Sequence, residues 1–328
     1  MREMTMRTIS YGQAINEALA EEMDRDGDVI LYGLDVAAWG GIFNITKGLL
    51  ERFGPERVFD SPISESVMVG AGVGAAIMGL RPVVELQYAD FILVAGDEIF
   101  LKAGMWRYMH GGAFKVPLVV RLPSGATGAG PEHSTCPEAY VMHSPGLLCA
   151  VPSTAADAKA LLKEAIRLDN PVMFFEHRRL YQKRDEVPEG DVTLPFGKGV
   201  IRREGRHVTV VAWQYMLSRA LKAAELLEQE GIEVEIFDPR TLSPFDSGTL
   251  IESVKKTGAC LVVEEGYRRL GVGAEIGAIL MEQAFGYLDR PFRRLAIPDV
   301  PMASVKPLVD RVLPSVEAIC DVCRELAA

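Results

Sequence analysis

Two short stretches place reactive side chains where a folded chain could use them. The first is Asp60-Ser61-Pro62-Ile63-Ser64-Glu65, where an acid stands as a strand gives way to a glycine-rich helix. An acid there can also act as an N-terminal cap, favoured by the free amides and dipole of the first turn. The residues that follow, Val67 to Leu80, are all apolar or small. Glu65 is therefore expected to point into a site and not onto a solvated face. The second stretch runs from Gly125 through Gly128 and Gly130 to His133, Ser134 and Thr135, a flexible glycine loop ending in a histidine flanked by hydroxyls. A lone histidine is more often structural, but one displayed on a long loop is more exposed and more often functional.

Other motifs carry less. Gly70-Ala-Gly72-Val-Gly74 and Gly271-Val-Gly273-Ala-Glu-Ile-Gly277 invite a dinucleotide reading. That fold needs a strand directly before the glycines, the right spacing, and an acid about 20 residues on. The first cluster follows Ser64-Glu65-Ser66 inside a helix and the second has the wrong spacing. Close packing explains both better. No GxSxG elbow and no HExxH is present. Cys320 and Cys323 form a CxxC, but no second pair completes a metal site, and their spacing puts them on one face of a terminal helix beside Ile319. Buried packing is the better reading.

The elements that must hold these residues alternate in kind. In the first half, helices are expected over Tyr11 to Asp24, Ile45 to Phe53, Ser66 to Gly79, Phe91 to Met105 and Ala155 to Arg167. Between them lie apolar strands at Val29 to Gly33, Val58 to Asp60, Arg81 to Leu86, Pro117 to Leu122 and Pro171 to Glu176. Buried strands alternating with helices predict an α/β domain with a mainly parallel sheet. From Gln182 to Gly197 the chain turns polar and rich in Pro and Gly, as a linker does. Strands at Val208 to Trp213, Val234 to Phe237, Ala259 to Glu264 and Arg294 to Ile297 then alternate with helices at Ala220 to Glu230, Leu250 to Lys256 and Ala274 to Ala284. A last helix starts at Ser315. The expected organisation is a first domain over 1–185, a linker over 186–200 and a second, smaller α/β domain over 201–328.

Composition agrees. A length of 328 residues suggests two domains, and 48% hydrophobic with 24% charged residues is a globular balance. A net charge of −10 argues against nucleic-acid or anionic-membrane partners, which need a basic footprint. No apolar run suits a signal peptide or a bilayer span. Five scattered cysteines make no disulfide framework, which points to a reducing, cytoplasmic setting.

DSPISESVMVGAGVGAAIMGLRPVVE resembles the signature of the beta subunits of pyruvate, branched-chain 2-oxo acid and acetoin dehydrogenases. The resemblance continues through GPEHSTCPEAY, HSPGLLCAVPSTAADAKALLKEAI, NPVMFFE, FDPRTLSPFD and GVGAEI, and so covers nearly the whole chain. It implies a transketolase-like pyrimidine-binding domain followed by a transketolase C-terminal domain. It implies an oxidoreductase that uses thiamine diphosphate to decarboxylate a branched-chain 2-oxo acid or pyruvate and passes the acyl group to lipoamide. It also implies activity only with an alpha subunit, in an α2β2 heterotetramer feeding a lipoyl-bearing acyltransferase core. The Gly-Asp-Gly motif that holds magnesium and diphosphate in thiamine enzymes is missing here. In the family it lies on the alpha subunit, which would hold Mg2+ there and share the cofactor between chains.

Carried over by resemblance, Glu65 matches the glutamate that hydrogen-bonds N1′ of the aminopyrimidine. A carboxyl is needed because a proton shared with N1′ favours the tautomer that acts as the cofactor's own base. Phe91 matches an aromatic packing on that ring, with core packing as its ordinary alternative. Gln87 matches a contacting glutamine of branched-chain members, and Val67 is placed with the cofactor-binding residues. His133 matches the loop histidine assigned to substrate binding or reductive acylation of lipoamide. Gly33-Leu34-Asp35-Val36 departs from the family's Gly-Glu-Asp/Glu-Val. Leu34 cannot relay protons, which puts communication between paired active sites in question. The potassium-site region reads Leu168-Asp169-Asn170, slightly altered, and a structural K+ stays an open expectation. Alternative readings are an acetoin dehydrogenase beta subunit, a non-catalytic assembly subunit hinted at by Leu34 alone, and a dinucleotide-dependent oxidoreductase.

Overall fold

A computed structural model of the chain describes residues 5–328, which divide into two compact units. Residues 5–124 and 140–196 form the first; residues 125–139 and 197–328 form the second.

The first unit opens with strand β1 (Met6–Ser10) and helix α1 (Tyr11–Arg25). A full capping box starts that helix: Ser10 Oγ accepts the Gln13 amide while Gln13 Oε1 accepts the Ser10 amide, an arrangement that contributes about 1 kcal/mol. The chain continues through β2 (Val29–Gly33), α2 (Leu49–Phe53), β3 (Val58–Asp60), α3 (Glu65–Ile77) and β4 (Arg81–Glu85). Then come a 3-10 turn (Ala89–Leu93), a π-helical stretch (Asp97–Ala103), α4 (Gly104–Met109) and β5 (Val119–Ser124). After the short helix α5 (Glu138–Met142) follow β6 (Leu148–Ala150), α6 (Ala155–Arg167), β7 (Val172–His177) and β8 (Arg184–Pro188). Six strands lie side by side in the order β6-β7-β5-β4-β2-β3, each pair parallel. Strands β2, β5 and β7 are buried throughout, which is why they read as mainly apolar runs, broken in β5 by Arg121 and at the end of β7 by Glu176 and His177.

Two helices depart from expectation. The stretch expected as one helix over Phe91 to Met105 is a 3-10 turn, a π-helical turn and a short α-helix in succession. Helix α2 starts at Leu49 and not Ile45, because Asn44 (φ 57°) and Gly48 (φ 87°) adopt the left-handed region and break the first turn. Strand β8 pairs antiparallel with β1, a strand that the polar composition from Gln182 onward did not suggest.

The second unit contains β9 (Val200–Arg203), β10 (Val208–Ala212), α7 (Gln214–Glu228), β11 (Val234–Asp238), β12 (Thr241–Ser243), α8 (Ser247–Thr257), β13 (Cys260–Tyr267), α9 (Val272–Gln283), β14 (Arg293–Ile297), α10 (Lys306–Val312) and α11 (Val316–Ala327). Its sheet has the order β14-β13-β10-β11-β9, with β9 antiparallel and the rest parallel. One core joins Val210, Ile236, Leu261 and Ala223 to Ile319, Cys320 and Cys323. The CxxC is thus helix packing, and all five cysteines are free. The chain therefore has two α/β units with mainly parallel sheets flanked by helices. Among the described residues, no helix is long and apolar enough to cross a membrane.

Candidate active site

Glu65 is the first residue of α3. Ser64 before it makes no side-chain cap bond, and among the described residues no hydrogen bond or ion pair engages the half-buried Glu65 carboxylate. A carboxylate at a helix start, near free amides and unspent on capping, is available to a ligand. The helix carrying it is pinned to the sheet. Tyr32 Oη donates to the Met68 carbonyl at 2.7 Å. A Cβ on Gly72 would lie 3.0 Å from Tyr32 Oη, Val84 and Leu118, so any side chain there would make these three neighbours give way. The close packing expected at this glycine cluster is therefore against the sheet. Ser66 Oγ donates to the Val94 carbonyl at 2.8 Å, tying the start of α3 to the segment that bears Phe91.

That segment belongs to an aromatic group. Tyr88 meets Phe91 edge-on at 5.7 Å between ring centres, and Phe43 packs on Tyr88 at 6.0 Å and on Tyr181 at 5.4 Å. The Arg178 guanidinium lies over the Tyr88 ring at 5.0 Å, a cation–π contact. Gln87 and Phe91 are both half-buried. Val67 is 66% exposed, so within this chain it lines no enclosed pocket. The apolar run after Glu65 was expected to be an interior face. Only Met68, Val69, Gly72, Val73 and Ala76 are buried, whereas Val67, Ala71 and Met78 face outward. A helix apolar all round needs cover on every side, and this chain covers one.

Beneath the aromatics lies a charged floor that the sequence did not reveal. Arg121 on β5 is wholly buried and bonds Glu176 of β7 through Nε at 2.6 Å and Nη2 at 2.8 Å. Its Nη1 pairs with Glu85 of β4. Tyr181 Oη donates to Glu176 at 2.9 Å. Burial raises the pKa of Glu85 despite Arg121, with Glu176 adding to the effect. Burial alone would lower Arg121, but Glu176 and Glu85 more than reverse it. One guanidinium between two carboxylates leaves a surplus negative charge, which a proton on Glu85 would neutralise. Gly41 admits this arrangement: a Cβ there would sit 2.7 Å from Glu85 Oε1.

His133 lies in the other unit, half-buried. Its loop is held at two points. Ala126 packs into a cluster with Ile297, Met302, Val309 and Leu313, and the buried Ser134 accepts the Ala129 amide at 2.8 Å.

Leu34 is half-buried after β2, and its neighbour Asp35 (φ 58°) accepts the Gly41 amide at 2.8 Å. At the altered potassium-site region, Asp169 pairs with Lys115 at 2.7 Å and Arg81 at 3.0 Å, and these pairs hold its carboxyl below the usual range. Among the described residues no group of three His, Cys, Asp or Glu could hold a metal.

Comparison with known proteins sets this geometry in a family. Residues 7–184 match the transketolase pyrimidine-binding domain and residues 197–319 the transketolase C-terminal domain. The chain is 46% identical over 318 residues to the pyruvate dehydrogenase E1 component subunit beta of Rhizobium meliloti (strain 1021), covering 96% of this chain and 69% of that one. It is 43% identical over 308 residues to the 2-oxoisovalerate dehydrogenase subunit beta of Bacillus subtilis (strain 168), covering 93% and 94%. It is 42% identical over 330 residues to the acetoin:2,6-dichlorophenolindophenol oxidoreductase subunit beta of Cupriavidus necator, covering 97% of each. A solved structure described as a split-gene transketolase, inactive beta4 tetramer, shares the fold with a TM-score of 0.81 at 24% identity, over 97% of this chain and 98% of that one. The chain belongs to the family of transketolase-like beta subunits of pyruvate, branched-chain 2-oxo acid and acetoin dehydrogenases.

Proposed function

We propose that this chain is the beta half of a thiamine diphosphate-dependent decarboxylase component, acting on pyruvate or a branched-chain 2-oxo acid and passing the acyl group to lipoamide. The observation that carries the reading is the Glu65 carboxylate, uncapped at the start of α3 and tied through Ser66 to the segment bearing Phe91. That donor set fits an aminopyrimidine: a carboxyl for a ring nitrogen, an aromatic face for the ring, and the Gln87 amide at its edge. When bound, thiamine diphosphate supplies the electron sink for loss of carbon dioxide. Glu65 holds and returns a proton at the pyrimidine nitrogen. Phe91 and Tyr88 exclude water from one side of the ring. His133 assists the acyl-transfer half, and Val67 belongs to the wall that is completed by a partner.

An alpha subunit supplies that partner, together with Mg2+ and the diphosphate site, in an α2β2 assembly in the cytoplasm. The outward apolar face supports this reading. Val67, Met78, Leu93 and Val94 are each more than half exposed, and α3 lies against the 3-10 and π-helical segment through Ser66 and Gly70. Contiguous apolar surface of this kind marks an interaction site. Residues 1–185 and 201–328 act as the two domains, with the stretch 125–139 lent to the second and the linker over 186–200 beginning within the first unit. Relatives that act on three different substrates lie within a few per cent of one another in identity, so acetoin is the alternative substrate. Leu34 is the one hint of a further alternative, an assembly subunit without turnover, and the intact Glu65, Phe91 and His133 weigh against it.

The test is co-expression with the cognate alpha subunit, followed by reduction of 2,6-dichlorophenolindophenol with pyruvate or 2-oxoisovalerate, which lose carbon dioxide, or with acetoin, which is cleaved between its carbonyl and carbinol carbons. Turnover of one substrate, lost in Glu65→Gln, is the expected result. A complex that binds thiamine diphosphate and turns over none of them would establish the assembly reading instead.

A further inference from the structure

Tyr181 belongs both to the aromatic group and to the charged floor beneath it. Its hydroxyl donates to Glu176 Oε2 at 2.9 Å, and Arg121 already holds both oxygens of that carboxylate, so the anchor is firm. Its main chain is fixed as well, the carbonyl accepting the Gly12 amide of α1 at 3.0 Å. The ring is 5% exposed and packs against Tyr11, 6.2 Å away between ring centres, and against Phe43. From there the contacts lead outward, Phe43 to Tyr88 and Tyr88 to Phe91, each pair edge-on. Burial falls along the row: Tyr181 is enclosed, whereas Phe43, Tyr88 and Phe91 are half-buried. Phe43 has backing of its own. Thr46 Oγ1 closes its loop by donating to the Val36 carbonyl at 2.8 Å. Asn16 Nδ2 pins the same loop to α1 by donating to the Ile45 carbonyl at 2.7 Å. Phe91 lies in a single 3-10 turn, where its amide donates to the Tyr88 carbonyl and its carbonyl accepts the Val94 amide. Such turns have poor hydrogen-bond geometry and hold their shape weakly, so ring contacts contribute to how Phe91 stands. Edge-on rings attract through edge and face, which fixes tilt as well as distance.

We propose that Tyr181 is a positioning residue: pinned to Glu176, its ring sets Phe43 and, through Phe43 and Tyr88, the stance of Phe91. What this does for catalysis rests on the reading of Phe91 as the aromatic wall of the aminopyrimidine site. The relay itself stands or falls in the chain without cofactor. The buried Arg121 charge then does more than join three strands: it gives that wall a fixed footing. Tyr181→Phe isolates the idea. It keeps the ring, and Glu176 keeps its two Arg121 bonds, so no buried charge is stranded and the unit folds. Only the pin at the tip of the ring is lost. Phe43→Leu breaks the middle of the row and leaves the charged floor intact.

Native-state hydrogen exchange of the full chain, read at the Phe91 and Val94 amides, tests the relay. In Tyr181→Phe the protection of these amides should fall about tenfold, the size expected for one lost hydrogen bond, while α6 in the same unit stays level. A merely structural role would lower protection in α6 as much. Phe43→Leu should produce a similar fall, and the double variant no further one, because a serial relay is broken by either change alone. Unchanged amides in Tyr181→Phe, an equal fall in α6, or additive falls in the double variant overturn the proposal. In the complex with the alpha subunit, calorimetric titration with thiamine diphosphate and Mg2+ should show about tenfold weaker binding in Tyr181→Phe. If the exchange result holds and the affinity does not change, the relay stands and the reading of Phe91 as the cofactor's wall fails.

Discussion

Replacing Arg121 by methionine tests whether the charged floor beneath the aromatic group holds the first unit together. The guanidinium and its partners Glu176 and Glu85 are at most 2% exposed, so no water can replace the lost bonds. Removing one member of a buried ion pair strands the other and costs about 3–5 kcal/mol. Here two carboxylates are stranded, although Tyr181 still donates to Glu176 and burial already inclines Glu85 to take a proton. An expected loss of about 3–5 kcal/mol near pH 8 corresponds to a fall of about 6–20 °C in the melting temperature of a unit this size. In the variant the folded carboxyls bind protons more readily than unfolded ones. Stability should therefore recover as pH falls toward the ordinary carboxylate range, by up to about 1.4 kcal/mol per pH unit for each group. Urea melts followed by far-ultraviolet circular dichroism at pH 8 and pH 5.5 would measure this. Arg121→Met with Glu85→Gln and Glu176→Gln should regain most of the loss at both pH values. A single variant within about 1 kcal/mol of the parent at pH 8, or a deficit that grows on acidification, would refute the buried-charge argument.

Four further outcomes are expected. Glu65→Gln should lower decarboxylation by about 100-fold or more while gel filtration shows the complex with the alpha subunit unchanged. His133→Ala should depress acyl transfer to lipoamide and spare decarboxylation with an artificial acceptor, measured side by side. Lys163 bonds Glu21 at 2.6 Å and Asp191 at 2.7 Å, but those partners are substantially exposed, so Lys163→Met should cost only about 1 kcal/mol in a urea melt. Gly72→Val should push α3 off the sheet, cost about 1–3 kcal/mol in thermal melting, and carry Glu65 out of place.

What the sequence disclosed follows from how local each cause is. Helix α6 falls on Ala155–Arg167 as expected, because Thr154 caps it and its apolar spacing is helical throughout. Strand β2 is as expected because an apolar run bounded by glycine leaves little choice. The segment after Tyr88 misled because its composition suits a helix, while the register changes at Gly96 and Gly104 come from packing. Of the candidate site, Glu65 and Phe91 were visible through the motif that surrounds them. Phe43, Tyr181, Arg121 and Glu176 were not, since the contacts that join them, Arg121 to Glu176 across 55 positions and Phe43 to Tyr181 across well over 100, are long-range and each sits in a stretch that reads as ordinary strand or loop. Arg121 within an apolar strand was the one available signal. A buried strand tolerates a charge only when partners wait across it, and that rule could have prompted a search for Glu85 and Glu176.

The second unit is not a continuous piece of chain, and this constrains how it can be made. Its apolar cluster of Ile297, Met302, Val309 and Leu313 is completed by Ala126, which the ribosome delivers some 170 residues earlier. A gene fragment starting at residue 197 would encode every strand of that sheet and still yield a body with a bare, sticky hollow where Ala126 belongs. Grafting residues 125–139 onto such a fragment through a flexible tether is the minimal repair. During synthesis, by the same logic, this early segment must wait unpacked until the C-terminal helices emerge.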